Sequence, residues 1–115
     1  MAVSIWHNPR CSKSRQTLQL LQDKGIEPQQ RLYLKQPPSE RELRDILGML
    51  NLSPRDLMRK KQKEYKELGL ANESLSDDDL IRAMVENPVL IERPIVINDG
   101  KAAIGRPPEN VLNIL

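Results

Sequence analysis

Cys11 is the only cysteine in the chain, and it stands within His7-Asn8-Pro9-Arg10-Cys11-Ser12-Lys13-Ser14-Arg15. An apolar, strand-like segment ends just before this run and a helix-like segment begins inside it, which puts the thiol at a helix N-terminus. The first N–H groups of a helix have no intrahelical partner, and the aligned peptide dipoles favour an anion there. The chemistry that follows is nucleophilic attack by a thiolate. An ordinary thiol, with a pKa of about 8.5, is ionised only to a few per cent at neutral pH, whereas helix termini and cations can bring it to roughly 3.5–7.5. A two-unit drop is worth ~2.7 kcal/mol, and a helix terminus supplies ~0.3–1 kcal/mol, up to ~2 in a partly buried site. Neighbours must therefore contribute. His7, Arg10, Lys13 and Arg15 are the cationic candidates, with the Ser12 and Ser14 hydroxyls and local N–H groups as donors to sulfur. The competing reading is a buried, inert cysteine, since free cysteine is among the most buried residue types.

Three arginines stand at element boundaries: Arg59 near a helix end, Arg93 before Pro94, and Arg106 between Gly105 and Pro107. Boundaries at one end of a small sheet bring distant sequence together, and a guanidinium offers a planar fork of donors suited to tetrahedral oxyanions. A thiolate facing such a cluster has a bound oxyanion to attack. The plainer alternative is that each is one more exposed charge among 18 Lys and Arg. One cysteine and one histidine do not make a thiolate–imidazole zinc site, although His7 and Cys11 are four apart, so no metal is expected.

The elements that must position these groups are legible from pattern. Val3 to Trp6 forms a short buried strand, and Ser12 to Lys24 a helix with Leu18 and Leu21 inward and Gly25 as terminator. Gln29 to Leu34 is a second strand, centred on Arg31 to Leu34 and parallel to the first in a βαβ unit. Ser39 and Glu42 form a capping box for a helix carrying Leu43, Ile46, Leu47 and Leu50. Ser53 and Pro54 open a short helix ending near Arg59. Lys61 to Leu68 continues as helix, and Ser76 with Asp79 caps another that runs to about Glu86. Ile95 to Ile97 and Ala102 to Ile104 form a hairpin about Asn98-Asp99-Gly100, and Pro107-Pro108-Glu109 opens a closing helix.

The order βαβ, helices, ββα implies an α/β fold: one domain over residues 1–115, a small mixed sheet, and a helical insertion over about 38–88 between the second and third strands. A length of 115 residues suits a single domain with a real core. The net charge of +2 and the scattered aromatics Trp6, Tyr33 and Tyr65 argue against nucleic acid as a partner. No apolar run approaches membrane-spanning length, and the N-terminus lacks the basic start and apolar stretch of a signal peptide. A lone cysteine gives no internal disulfide, so a cytoplasmic location is expected.

The segment around Cys11, taken with Met58-Arg59-Lys60, Tyr65 before Leu68-Gly69-Leu70, Glu92-Arg93-Pro94-Ile95-Val96 and Gly105-Arg106-Pro107-Pro108-Glu109, resembles the glutaredoxin-coupled arsenate reductase family nearly end to end. The larger reductases of that family continue beyond the closing helix, so the chain, which stops at Leu115, resembles its short members. The resemblance implies a thioredoxin-like fold with a cis peptide at Arg93-Pro94. It also implies that Cys11 attacks arsenate, that His7 and Ser14 stabilise the thiolate, and that Arg59, Arg93 and Arg106 bind the oxyanion and its adduct. No cofactor is tightly bound in that scheme. Glutathione is a co-substrate and glutaredoxin the protein partner, in keeping with the absence of a second protein thiol. Two other classes compete: a single-cysteine oxidoreductase acting on glutathione adducts, and a non-enzymatic regulator resembling the Spx-type proteins. Spx-type disulfide switches use Cys-x-x-Cys, and here the second position is Ser14.

Overall fold

The computed structural model describes residues 3–115, so the first two residues of the expected domain lie outside the described residues. Two compact units make up the chain: one runs through Gln36 and resumes at Arg93–Leu115, and the other is Pro37–Glu92.

The first unit is built on a four-stranded sheet of order β2-β1-β3-β4, formed by β1 (Ser4–Trp6), β2 (Gln29–Arg31), β3 (Ile95–Asn98) and β4 (Lys101–Ile104). Helix α1 (Ser12–Asp23) connects β1 to β2, which pair in parallel with Ile5 opposite Gln30. β3 runs antiparallel to β1, with Val96 opposite Ile5, and β4 returns antiparallel to β3. This is the thioredoxin-like arrangement. The β3–β4 hairpin turns on Asp99 and Gly100, both at positive φ (53° and 74°), so the Asp-Gly pair occupies the two left-handed positions of a two-residue turn. The core of this unit is Ile5, Leu21, Val96 and Val111, with Val3, Leu18, Leu20, Ile26, Ala103 and Ile114 packed against it.

Several features of this unit differ from the sequence pattern. The second strand stops at Arg31 because β1 offers only three partners; the chain then turns, with the N–H groups of Lys35 and Gln36 both donating to Leu32 O at 2.9 Å. Tyr33 is buried and Leu34 is 42% exposed. The closing helix, Pro108–Ile114, is 3₁₀ rather than α. Its inward residues Pro108, Val111 and Ile114 recur every three positions, which is the 3₁₀ period. The inner stripe of α1 is Ser14, Thr17 and Leu21, with Leu18 only partly buried. The Arg93-Pro94 peptide is cis, and so is Arg106-Pro107.

The second unit is helical: α2 (Glu40–Leu50), α3 (Pro54–Leu57), α4 (Lys63–Glu67) and α5 (Asp77–Glu86), followed by a 3₁₀ turn at Pro88–Leu90. The Ser39/Glu42 and Ser76/Asp79 capping boxes both form. Here α3 ends at Leu57, short of Arg59, because Met58 turns extended to bridge Ile91. α4 starts two residues later than the pattern suggests. Among the described residues, no helix is long and apolar enough to cross a membrane.

Truncating Ile5, which is fully buried between β2 and β3, should cost about 2–5 kcal/mol in urea unfolding. Leu34→Ala should stay within about 0.5 kcal/mol of the parent. A large loss at Leu34 would show that it belongs to a packed strand after all.

Candidate active site

Cys11 is the N-cap of α1, with extended backbone (φ −94°, ψ 124°), and it is 8% exposed. Its N–H donates to Asn8 O at 3.0 Å and its carbonyl accepts the Arg15 N–H at 3.0 Å, so a tight turn leads straight into the helix. The thiol does not cap the helix through a side-chain hydrogen bond of standard geometry. The N–H groups of Ser14 and Lys13 nevertheless act on the sulfur from the first turn.

Burial pushes the Cys11 thiol up, since a sulfur anion loses hydration. The Ser14 N–H, the charge of Arg93, the Lys13 N–H and a hydrogen bond from the Arg93 guanidinium all act the other way, and together they hold the pKa below the ordinary thiol value. The helix terminus and one arginine thus make the contribution that the terminus alone does not.

His7, at the end of β1, is 4% exposed, and its Nδ1 lies 2.6 Å from Ser14 Oγ. Burial first, then the charge of Arg15, lower its pKa below the ordinary histidine value. The ring is therefore neutral near pH 7, which corrects the expectation of a cation at this position. Ser14 Oγ accepts the Asn8 N–H at 3.0 Å. A hydroxyl that already accepts one N–H has its own proton available for the ring, and on that basis we assign Nδ1 as acceptor and the ring proton to Nε2. The Ser14 side chain is thus engaged by His7 and Asn8, while its backbone N–H serves the sulfur.

The remaining contacts fix the loop. Asn8 Oδ1 accepts the Arg10 N–H at 3.0 Å, and Arg15 Nη1 donates to Pro9 O at 2.9 Å. Of the cationic candidates, Arg10 is exposed, and Arg15 is directed to the loop and to the field at His7. Arg106 Nη1 lies 3.5 Å from Arg93 O, so these two arginines adjoin. Arg59 is in the helical unit, half-buried, with its N–H on Leu90 O at 2.8 Å and its guanidinium reaching Val89 O at 3.4 Å. The structure therefore brings together Cys11, Ser14, His7 and Arg93 within one unit, with Arg106 adjoining Arg93. Sequence reasoning missed Asn8 as the organiser of the loop and Thr17 on the inner face of α1. The i, i+3, i+7 spacing of Ser14, Thr17 and Leu21 carried that second signal.

A family model described as "ArsC family" matches residues 6–114. The chain belongs to the ArsC family. It is 59% identical to the uncharacterized protein YfgD of Escherichia coli (strain K12), over 98% of this chain and 96% of that one. It is 53% identical to the arsenate reductase of Haemophilus influenzae over the whole of both chains. The solved structure of the arsenate reductase from Vibrio cholerae superposes with a TM-score of 0.98 at 54% identity, covering 100% of this chain and 98% of that one.

In this ArsC-family chain a thiol whose folded pKa is depressed gives up its proton earlier in the native state than in the unfolded chain. Stability from the ionised sulfur is complete above the ordinary thiol pKa and is lost as pH falls through the folded value. The difference in unfolding free energy between the parent and Cys11→Ser should therefore widen in the parent's favour as pH rises through that window. Urea melts at a series of pH values measure it, and a difference independent of pH would contradict a lowered thiol.

Proposed function

We propose that the protein reduces arsenate to arsenite, with Cys11 as the nucleophile and glutathione and glutaredoxin as the source of electrons. The observation that carries this reading is the Cys11 thiol, its pKa lowered by the first turn of α1 and by Arg93, with the Arg106 guanidinium beside the Arg93 carbonyl. The relatives named arsenate reductase, similar over their whole length, support it.

The Cys11 thiolate attacks arsenic, an S–As bond forms, and one arsenate oxygen leaves as water after protonation. Two external thiols then close a disulfide and give up two electrons. Arsenic passes from arsenic(V) to arsenic(III), and a second oxygen leaves as water. Hydrolysis of the S–As(III) bond releases arsenite and returns the Cys11 thiol. The chain has a single cysteine, so both reducing equivalents come from outside. A cavity of about 260 Å³ beside the thiol loop, with Arg10 and Lys35 on its lining, offers a cationic rim to an anionic peptide thiol such as glutathione. In this mechanism Arg59, Arg93 and Arg106 bind the oxyanion and its adduct through forked donors. His7 and Ser14 hold the helix terminus against the sulfur. A supply of reduced thiols implies a cytoplasmic setting.

The test is arsenate-dependent oxidation of NADPH in the presence of glutathione, glutathione reductase and glutaredoxin. Cys11→Ser should abolish the rate while leaving the melting curve cooperative. Arg59→Lys keeps the charge and removes the fork, so kcat/KM should fall by roughly ten- to a hundredfold, in line with ~1.5–3 kcal/mol for a charged hydrogen bond. No arsenate-dependent rate, together with turnover of a glutathionylated substrate, would replace this reading with that of a thiol oxidoreductase.

A further inference from the structure

Gly105 sits between the end of β4 and Arg106, and its φ is not positive, so backbone freedom does not explain the glycine. Space does. A β-carbon at this position would run into Thr17 Oγ1 and would fall 2.9 Å from Pro94 Cγ and 3.0 Å from Thr17 Cγ2. Atoms that close cannot coexist, so the buried Thr17 side chain, the Pro94 ring or the elements that carry them must shift.

The same point carries hydrogen bonds. Gly105 N–H donates to Pro94 O at 2.9 Å. The Thr17 hydroxyl donates to Lys13 O at 2.8 Å and also lies 3.4 Å from Gly105 O. Thr17 is fully buried. Valine has the same shape without a polar group to satisfy, so a buried hydroxyl here is meaningful through the carbonyls it serves. Of the partners, Lys13 itself acts on the sulfur through its N–H, Pro94 follows Arg93, which also does, and Gly105 precedes Arg106, which lies against the Arg93 carbonyl.

We propose that Thr17 and Gly105 form a positioning joint that sets how closely Arg93 and Arg106 approach the first turn of α1, and hence the Cys11 sulfur. The joint couples two segments far apart in sequence, the helix that carries the thiol and the two arginine-bearing turns. The groups whose effect it governs are the Arg93 guanidinium and the Ser14 and Lys13 N–H groups at the sulfur, with His7 behind Ser14 and Arg15 acting on His7. Its catalytic consequence rests on the reading of Cys11 as the nucleophile. Its electrostatic consequence does not.

Three variants test it: Gly105→Ala, Thr17→Ala, and the two combined. Ultraviolet titration of the Cys11 thiolate reads the joint without any substrate, and arsenate turnover reads the consequence. Gly105→Ala should move the thiol pKa back toward the ordinary value and lower kcat/KM by about ten- to a hundredfold, as expected when a charged group shifts by about 1 Å. Removing the Thr17 side chain relieves the contacts with Thr17 and leaves the 2.9 Å approach to Pro94 Cγ, so the double variant should recover part of the shift in thiol pKa and part of the lost rate. A folded Gly105→Ala protein with an unchanged thiol pKa would overturn the proposal, whatever its melting temperature. Where Gly105→Ala does not fold, Thr17→Ala and the double variant decide. The joint requires the thiol pKa to rise in Thr17→Ala and to come part-way back in the double, and equal values in both and in the parent would sink it. If the parent has no arsenate-dependent rate, the proposed function fails while the titrations still judge the joint.

Discussion

A sulfur that is nearly out of contact with water can ionise only where the protein replaces the solvation it has lost, and much of the first unit can be understood from that requirement. Desolvation works against the Cys11 thiolate. What outweighs it is a set of donors fixed before the charge forms: two N–H groups of a helix terminus and one guanidinium. Their positions come from the sheet. β1 delivers the chain to His7, the Asn8–Cys11 turn starts the helix, and the cis Arg93-Pro94 peptide precedes β3, the antiparallel neighbour of β1. Donors held in place by strands and a helix need little rearrangement when charge develops on sulfur.

Ser14 shows how one residue serves two ends of this arrangement. Its N–H faces the sulfur, while its hydroxyl joins the His7 ring and the Asn8 N–H. The ring is kept neutral by burial and by Arg15, so it acts as a fixed hydrogen-bonding partner and adds no charge. A protonated ring would need a different arrangement of Ser14. The electrostatic work therefore falls on backbone dipoles and Arg93.

The architecture was largely readable from the chain because its signals are local. The two capping boxes, the Asp-Gly turn and the short apolar strands each state their own conformation, and the parallel β1–β2 pairing follows from strand-helix-strand order. The misjudged boundaries depended on partners elsewhere. Leu32 to Leu34 have strand-like composition, yet β1 is too short to pair with them. Met58 leaves its helix to bridge Ile91. Val111 and Ile114 fit an α-helical pattern as well as the 3₁₀ period they adopt. At the site, Cys11 and the arginines stood out by context and by resemblance. Thr17 did not, because a small polar residue on a helix is ordinarily solvent-facing and its buried neighbour, Gly105, lies 88 positions away. The neutrality of His7 was hidden for the same reason, since it depends on burial that composition does not reveal.

The two outer strands of the sheet have a bearing on solubility. β2 is three residues long and carries Gln29, Gln30 and Arg31, while β4 is four residues long, begins with Lys101 and packs against the closing 3₁₀ helix. Strands this brief, one polar throughout and the other headed by a lysine, give an incoming extended peptide few backbone rungs to grip. The fold thereby keeps its open ladders from acting as templates for amyloid-like stacking, without recourse to a proline or a bulge within either strand.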